Sequence, residues 1–434
     1  MRTQPQKSTC FTNRCSNFHT LQPWIVCLSA ALFFFYEFIQ MSMFNSISSE
    51  LMQDFHINAT QLGNLSATYF YADVIFLLPA GMILDKLRVK NVILVSMVIC
   101  ILGTFLFSIS NSALVAAICH FMAGIGNAFC FLSCIMLASR WFPPQRLALA
   151  IGLMVTLGML GGVVAQTPFV YLVSIVGWRH AVMFNGFLGI AIFLLIFAAV
   201  QDFPSNYKKP TPHSDNHNSK TPALLLVFKN KQNWLGGLYT CLLNLPVFLL
   251  GQLWGNMYLT QVHGLTATEA ASAAMMIFFG TMIGSPLIGW ISDNLKSRRI
   301  PMIACAIISL VLISFVMFMK LSFLGLIILF LLLGIITSAQ VIGYPVITES
   351  NPSHMTGTAM GLASVLIMGG GAVFQPFFGW LMDLNWDHTL VNGTAVYSSS
   401  NYLLAMMILP IAFGLGLLAA ICLRETHCLS VKRN

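Results

Sequence analysis

The sequence predicts an all-α membrane protein with twelve transmembrane helices in two pseudo-symmetric six-helix lobes. Composition is the first reason: 57% of the 434 residues are hydrophobic and only 8% are charged, whereas a soluble domain carries about 25% charged residues. The second reason is a repeat. The pattern Gly81–Asp85–Arg88 recurs as Gly289–Asp293–Arg298, with the two aspartates 208 residues apart. A repeat of this length in so apolar a chain is typical of a duplicated bundle of membrane helices.

Twelve apolar stretches are long enough to span a bilayer, which requires about 20 mostly apolar residues. They lie near residues 23–44, 64–84, 91–110, 112–139, 146–172, 180–200, 233–260, 268–291, 300–319, 322–347, 357–382 and 399–423. Residues 201–232 are too polar to form a core, so we expect them to link an N-terminal lobe, 23–200, to a C-terminal lobe, 233–423. Residues 1–22 and 424–434 are expected to be tails, and the first apolar stretch a retained helix rather than a signal peptide.

The repeat continues inside the predicted helices. Four residues of the fifth stretch recur at a constant offset of 209 residues in the eleventh: Gly152, Gly161, Gly162 and Gln166 correspond to Gly361, Gly370, Gly371 and Gln375. Glycines at such spacings let helices approach closely. The constant offset indicates a parallel duplication, with the halves related by an axis along the membrane normal.

Lysine and arginine predict the orientation. Nineteen of the 21 lie in the tails, the linker or turns on one side of the membrane, and only Arg179 and Lys320 lie on the other. The positive-inside rule therefore places both termini in the cytoplasm, and we expect a plasma (inner) membrane protein. The bases do not form a continuous surface with interleaved aromatics, so no nucleic-acid partner is expected.

Several motifs, taken in order, resemble the major facilitator superfamily over nearly the whole chain. They are the loop 2–3 signature at Gly81/Asp85/Arg88/Lys90 with its weaker copy at Gly289/Asp293/Arg298, the end of helix 4 at Arg140-Trp-Phe-Pro-Pro-Gln-Arg146, and the helix 5–6 turn at Gly177-Trp-Arg179. The run Gly158-Met-Leu-Gly161-Gly162 lacks the proline of that family's antiporter signature, which disfavours antiport or drug efflux. Short patches, Ala270-Ala-Ser-Ala, Ser285-Pro and Gly357-Thr-Ala-Met-Gly, resemble the lysosomal dipeptide-transporter branch and give only a substrate hint.

The resemblance implies transport by alternating access, with gating residues at the cytoplasmic face. They would be Asp85, Arg88, Arg140, Asp293 and Arg298. An aspartate there would meet helix N-termini or Arg140 in one state and release them in another. A carboxylate near a helix dipole gains ~0.3–1 kcal/mol when exposed, and more when partly buried. The alternative is that these residues are plain caps or topology signals.

Two acidic residues lie within predicted helices, Glu37 in the middle of the first and Asp73 in the outer half of the second. An ionised acid at mid-membrane costs ~2.5–3.5 kcal/mol even on a lenient insertion scale. Desolvation favours the neutral form, which suits a proton carrier. We interpret both as candidate proton-coupling sites, and the alternative is a helix–helix hydrogen bond made by a neutral acid.

No lysine or arginine lies in the central third of any predicted helix. A strongly anionic solute commonly requires such a base, so neutral, zwitterionic or cationic solutes fit better. The candidate cavity residues are polar side chains within the helices: Gln40, Asn127, Gln166, Gln252, Asn256, Gln340, Tyr344 and Gln375. Amides also bond neighbouring helices. His120 is interpreted as structural, and Glu269 and Glu349, near helix ends, are expected to be solvated.

Three interruptions mark possible bends near the substrate: Pro246 with Gly251 in helix 7, Gly343-Tyr-Pro345 in helix 10 and Gln375-Pro376 in helix 11. In transporters such breaks lie at binding sites, although packing can accommodate a kink.

These observations predict a secondary active transporter that imports a small polar organic solute with protons. The alternatives are a facilitator or exporter of the same fold, for example for dipeptides or amphiphilic compounds, and a non-transporting membrane sensor or scaffold. We expect a monomer in the lipid bilayer whose partners are the solute and protons, with no cofactor, no metal site and no enzymatic activity.

Overall fold

The computed structural model describes residues 12–204, 223–352, 355–391 and 394–428. The helices of the first half are α1 Thr12–Ser42, α2 Phe44–Phe55, α3 Ala59–Lys86, α4 Val89–Ser108, α5 Ala113–Trp141, α6 Pro144–Val164, α7 Thr167–Val176 and α8 Trp178–Ala199. Two pairs of these helices, α1 with α2 and α6 with α7, each form one membrane crossing or its extension. In particular, α6 and α7 together form the fifth crossing and are separated at Gln166, whose backbone is not helical.

The second half repeats this plan with more interruptions. Its helices are α9 Ala223–Lys229, α10 Lys231–Pro246, α11 Gly255–His263, α12 Ala267–Asn294, α13 Arg299–Phe318, α14 Phe323–Thr337, α15 Gly343–Glu349, α16 Thr356–Asp383, α17 Ser399–Met406 and α18 Ile408–Cys422. A π-helical turn, Val247–Gly251, follows α10, and a 3-10 turn, Ser338–Ile342, joins α14 to α15. Two short strands, β1 Leu390–Val391 and β2 Thr394–Ala395, pair antiparallel between α16 and α17.

Eleven segments among the described residues are long and apolar enough to cross a membrane. The remaining crossing is α3, which has 28 residues and includes Asp73 and Asp85. The predicted fold class, an all-α membrane protein of twelve helices in two six-helix lobes, is confirmed. Helices α1 to α8 form the N-terminal lobe, and α10 to α18 form the C-terminal lobe.

The two predicted helix breaks at helices 7 and 10 are confirmed, and the third is not. Pro246 ends α10 and precedes the π-helical turn, and Gly343 begins α15 directly after the 3-10 turn. In contrast, Pro376 lies inside the continuous helix α16. A proline within a helix removes one backbone hydrogen bond but need not end it.

The paired glycines place the repeat in space. A Cβ at Gly161 would collide with Phe35 of α1, and a Cβ at Gly370 would collide with Cys241 of α10, so the first glycine of each pair packs within its own lobe. The second glycine of each pair faces the other lobe. Gly162 packs against the ring of Phe278 in α12, and Gly371 packs against the ring of Phe70 in α3. Each lobe thus presents the same glycine to a phenylalanine of its neighbour.

Within the described part of the chain, the hydrogen bonds between the two lobes lie in one half of the membrane. We call the side with Lys86, Lys90 and Lys296 the basic face, and the opposite side the neutral face. Among the described residues, the hydrogen bonds between lobes lie toward the neutral face, such as Thr167 Oγ1 to Ser272 Oγ at 3.0 Å. Toward the basic face, a Cβ at either Gly152 or Gly361 would meet nothing within 4 Å. The molecule is therefore closed at its neutral face.

Candidate functional site

Glu37 lies on α1 in the interior of the N-terminal lobe and is fully buried. Its Oε2 accepts a hydrogen bond of 2.9 Å from the Tyr69 hydroxyl on α3. Its Oε1 has no hydrogen bond of ordinary geometry among the described residues, and the Cys100 thiol of α4 lies beside the carboxyl. The carboxyl fits against α5 because Gly126 has no side chain, and a Cβ there would overlap Glu37 Oε1.

Asp73 lies one turn beyond Tyr69 on α3 and is also buried. Its Oδ2 accepts a hydrogen bond of 3.0 Å from Asn127 Nδ2 on α5, and its Oδ1 has no partner within the described part of the chain. Asn127 follows Gly126 directly, so both carboxyls reach α5 at neighbouring positions. The structure thus brings three predicted site residues, Glu37, Asp73 and Asn127, to neighbouring positions of α5.

Close packing of α3 on α5 positions Glu37 and Asp73, which we call the acidic pair. A Cβ at Gly124 would overlap the Tyr69 backbone, so only glycine permits the approach. One turn earlier on α5, the His120 ring lies 4.1 Å from the Phe44 ring and 5.3 Å from the Tyr69 ring, measured between centroids. These stacked contacts agree with the interpretation of His120 as structural.

Gln40 lies one turn beyond Glu37 on α1 and points toward α4. Its Nε2 donates to Thr104 Oγ1 at 2.6 Å, and the Tyr36 hydroxyl lies 3.2 Å from the same oxygen. Gln40 Oε1 is buried without a partner in the described residues. This polar chain runs beside Glu37 inside the lobe and does not join the cavity candidates of the C-terminal lobe.

A second polar cluster joins the lobes at the π-helical turn, and its centre is Asn45. Asn45 Nδ2 lies 2.9 Å from Gln166 Oε1, 3.3 Å from Asn256 Oδ1, and 3.3 and 3.2 Å from the carbonyl oxygens of Leu250 and Gly251. Asn45 Oδ1 in turn accepts from the backbone N–H of Asn256 at 3.0 Å. Sequence reasoning missed Asn45, because nothing in its local pattern distinguishes it from the other polar residues at the end of helix 1.

The repeat-related glutamines both support this turn. Gln166 Nε2 donates to the Gly251 carbonyl at 2.8 Å across the lobes, and Gln375 Nε2 donates to the Phe248 carbonyl at 2.9 Å within its own lobe. Gln252 directly follows the turn and is fully buried, with neither amide atom hydrogen-bonded to a described residue. Single π-helical turns within helices occur frequently at functional sites.

The other two cavity candidates lie at the second helix break. Gln340 belongs to the 3-10 turn and Tyr344 to α15, and both are half-buried. The Gln340 carbonyl accepts a hydrogen bond of 3.0 Å from Thr240 on α10. No hydrogen bond joins these side chains to the acidic pair in the described structure.

At the basic face, no hydrogen bond or ion pair joins Arg88 to Arg140, the two N-terminal gating candidates whose side chains the structure describes. The Asp85 side chain lies outside the described residues. Arg88 is exposed. Arg140 pairs with Asp202 at 3.7 Å, and its guanidinium lies 4.6 Å from the centroid of the Phe203 ring. Asp202 was not predicted as a site residue.

The C-terminal gating candidates form an ion-pair network. Arg298 Nη1 lies 2.7 Å from Asp293 Oδ1, and its Nη2 lies 2.7 Å from Glu349 Oε1. The expectation that Glu349 is solvated was wrong, since its side chain is only 12% exposed. The end of α15 brings Glu349 beside the loop after α12, a contact between distant segments that sequence spacing does not reveal.

Glu425, after the last helix, completes this network. Its carboxylate accepts from the backbone N–H of Arg298 at 2.8 Å, from that of Arg299 at 3.1 Å and from Ser297 Oγ at 2.6 Å. Partial burial alone would raise the pKa of Glu425. The hydrogen bonds from Arg298 and Ser297 outweigh burial and lower this pKa to about 2. The carboxylate is therefore ionised throughout the physiological range and fixes the chain after α18 against the start of α13.

Comparisons with known proteins agree with this architecture. The "Uncharacterized transporter YybO" of Bacillus subtilis is 25% identical over 277 residues, and the match spans 59% of this chain and 62% of that relative. The "Probable galactarate/D-glucarate transporter GudP" of Escherichia coli is 23% identical over 403 residues, covering 83% of this chain and 86% of the relative. Both relatives carry the word transporter in their names.

A solved structure extends the likeness to the fold. The inward-facing, unoccupied structure of a bacterial homologue of the human lysosomal transporter Spinster superposes with a TM-score of 0.74. It covers 93% of this chain and 98% of its own, at 18% sequence identity. Finally, the family model of the Major Facilitator Superfamily matches residues 30–376. The chain therefore belongs to the Major Facilitator Superfamily and is a multi-pass membrane transporter rather than an enzyme.

Proposed function

We propose that the protein imports a small polar organic solute together with protons, by alternating access of its two lobes. The observation that carries the coupling is the acidic pair. Glu37 and Asp73 are both buried in the N-terminal lobe, and each has one carboxyl oxygen that makes no hydrogen bond of ordinary geometry to a described residue. A structural hydrogen bond would need only one acceptor oxygen from each residue, so the open oxygens favour a site that binds and releases a proton.

The energetics of burial support a carrier role for this pair. A charged carboxylate in the membrane core is costly, and the cost falls when it carries a proton or faces water. In the present state both carboxyls are enclosed by α1, α3 and α5. A proton bound to either one is therefore shielded from water until the lobes move. The movement of one lobe against the other would then open this region to water and allow release.

The state of the lobes fits the import cycle. With the basic face in the cytoplasm, as the positive-inside rule predicts, closure at the neutral face corresponds to an inward-facing state. The superposition on an inward-facing structure supports this assignment. On this account both termini lie in the cytoplasm and the membrane is the plasma (inner) membrane.

The solute class is narrowed by charge. The name of the GudP relative refers to galactarate and glucarate, which are dianionic sugar acids. Among the described residues of this chain, no lysine or arginine lies in the middle of a spanning helix. A buried dianion normally pairs with such a base. We therefore favour a neutral or zwitterionic polar solute, such as a sugar, whose hydroxyls the amides Asn127, Gln252 and Asn256 could bind.

The test is a solute panel on purified protein in liposomes that contain a pH-sensitive dye. The panel holds sugars, sugar acids, amino acids, dipeptides and polyamines. Acidification of the lumen on addition of one class would identify both the cargo and proton symport. Counterflow of a labelled solute without a pH change would instead identify a facilitator, and alkalinisation would identify an exchanger. Neither signal with any class would contradict transport and favour a sensor.

A further inference from the structure

One face of α16 presents four residues at four-residue intervals to α3 of the other lobe. Gly371 packs on the Phe70 ring, the Gln375 backbone lies where a Cβ at Gly63 would be, and Gly379 lies against the Ala59 carbonyl. The fourth residue of the stripe is Asp383, the last residue of α16. The three small or amide residues let the helix backbones approach so closely that Asp383 reaches the first turn of α3.

Asp383 makes a set of hydrogen bonds that cross the lobe boundary. Its Oδ2 accepts from the Thr60 backbone N–H at 2.8 Å and from Thr60 Oγ1 at 2.5 Å, and its Oδ1 lies 3.3 Å from the Ala59 backbone N–H. Tyr397 bridges the same groups, because its hydroxyl donates to Asp383 Oδ1 at 2.7 Å and accepts from the Ala59 N–H at 2.9 Å. The Tyr397 side chain is buried.

These bonds are additional to the cap that α3 makes for itself. Asn58 and Gln61 form a capping box, in which the Asn58 side chain accepts from the Gln61 N–H at 2.9 Å. The N–H groups of Ala59 and Thr60 would otherwise have no partner within the helix. Among the described residues, their hydrogen-bond partners all belong to the C-terminal lobe, so they lose those partners when the lobes separate at the neutral face. Helix α3 can therefore form without Asp383, whereas closure of the neutral face uses it.

We propose that Asp383 is a gating residue that stabilises closure of the neutral face by binding the start of α3. The proposal rests on the alternating-access function and adds to it the residue that favours one of the two states. A carboxylate at a helix N-terminus gains both from charge-assisted hydrogen bonds and from the helix dipole. Opening the neutral face must replace these interactions with water, so Asp383 biases the resting protein toward the present state.

The test measures the distance between the lobes at the neutral face without any solute. Ser112 of the N-terminal lobe and Ser399 of the C-terminal lobe are both exposed at this face and would be replaced by cysteine and spin-labelled, with the accessible native cysteines changed to serine. Double electron–electron resonance in lipid nanodiscs then reports the populations of the closed, short-distance state and the open, long-distance state.

We expect Asp383→Asn to raise the ratio of long to short distances about five- to tenfold, the size expected when charge-assisted hydrogen bonds are weakened. Tyr397→Phe should shift the ratio in the same direction by a smaller factor. Asp387→Asn is the matched control, since Asp387 is an exposed acid four residues further along the chain, and it should leave the distribution unchanged.

Identical distance distributions for the wild type, Asp383→Asn and Tyr397→Phe would overturn the proposal. If Asp383→Asn fails to fold, Thr60→Val removes one donor and keeps the carboxylate, and it should still raise the long-distance fraction. The measurement needs no transport. A clear shift in a protein that moves no solute would therefore retain the gate and contradict only the proposed function.

Discussion

At the scale of single residues, Glu37 fits inside the N-terminal lobe because α5 has a glycine, Gly126, where it meets the carboxyl. Glu37 and Asp73 come from different helices and meet α5 at Gly126 and Asn127, one of which provides space and the other a donor. The sequence identifies the two acids, because carboxyls in apolar helices are rare. It does not identify Tyr69 as the hydrogen-bond donor to Glu37, because a tyrosine in an aromatic stretch has no distinguishing pattern.

The space at Gly126 can be tested by filling it. We expect Gly126→Ala to displace the Glu37 carboxyl and to destabilise the protein by about 1–3 kcal/mol, the usual cost of overpacking. Proton uptake should fall more than solute binding, because the added methyl group displaces the Glu37 carboxyl and does not touch the amide side chains of the C-terminal lobe. Thermal unfolding and the liposome pH assay measure the two effects.

The control for this substitution is Gly152→Ala, since a Cβ at Gly152 meets nothing within 4 Å. It should leave both measurements close to those of the wild type. Equal stability and equal proton uptake in Gly126→Ala would show that the carboxyl is not held where the structure has it.

Glu425 gives a prediction about pH. Its pKa is lowered in the folded state to about 2, against about 4.3 for an unperturbed glutamate. The stabilisation is therefore fully present above the unfolded pKa and is lost as the pH falls through the folded pKa. Glu425→Gln should lower the melting temperature by a constant amount between pH 8 and about pH 5, and by less as the pH falls below about 4.

Thermal unfolding of the two proteins in the same detergent, across this pH series, checks the prediction. Asp387→Asn serves as the control, because Asp387 is an exposed acid outside the Glu425 network. A difference between Glu425→Gln and the wild type that grows on acidification would have the wrong sign and would contradict the hydrogen bonds assigned to the Glu425 carboxylate.

At the scale of elements, the repeat predicted which residues correspond but not what each does. Gln166 and Gln375 occupy equivalent positions, and both donate to the π-helical turn. Gln166 lies at the break between α6 and α7 and reaches across the lobes, whereas Gln375 lies inside a continuous helix and bonds within its own lobe. Among the described residues, the π-helical turn lies in the second half, so the two corresponding glutamines have different partners. A sequence offset cannot reveal this asymmetry.

This asymmetry predicts different effects for the same substitution. Gln166→Leu should increase hydrogen–deuterium exchange at the turn and in α11, because it removes a bond between lobes and leaves Asn45 with fewer partners. Gln375→Leu should mainly lower stability, by about 1–3 kcal/mol for an unsatisfied buried carbonyl. Exchange mass spectrometry and thermal unfolding separate the two outcomes, and equal exchange patterns in both variants would contradict the assignment.

At the scale of the whole molecule, composition and the repeat were sufficient to predict the fold class. Hydrophobic stretches of the right length define the crossings, and the constant offset of 209 residues reappears as paired glycines that pack in corresponding places. The conformational state was not predictable. It depends on contacts such as Asp383 with Thr60, made by residues over 300 positions apart, and both states of a transporter share one sequence.

In the proposed mechanism Glu37 couples proton movement to the movement of the lobes, and two measurements on one variant separate these processes. Glu37→Gln keeps the shape of the side chain and its contact with Tyr69 but cannot carry the proton. With the solute identified by the panel, accumulation driven by a pH gradient and counterflow exchange are measured on the same liposomes, with Glu269→Gln as the control. We expect Glu37→Gln to abolish accumulation and to retain counterflow. Accumulation with unchanged pH dependence would contradict this mechanism.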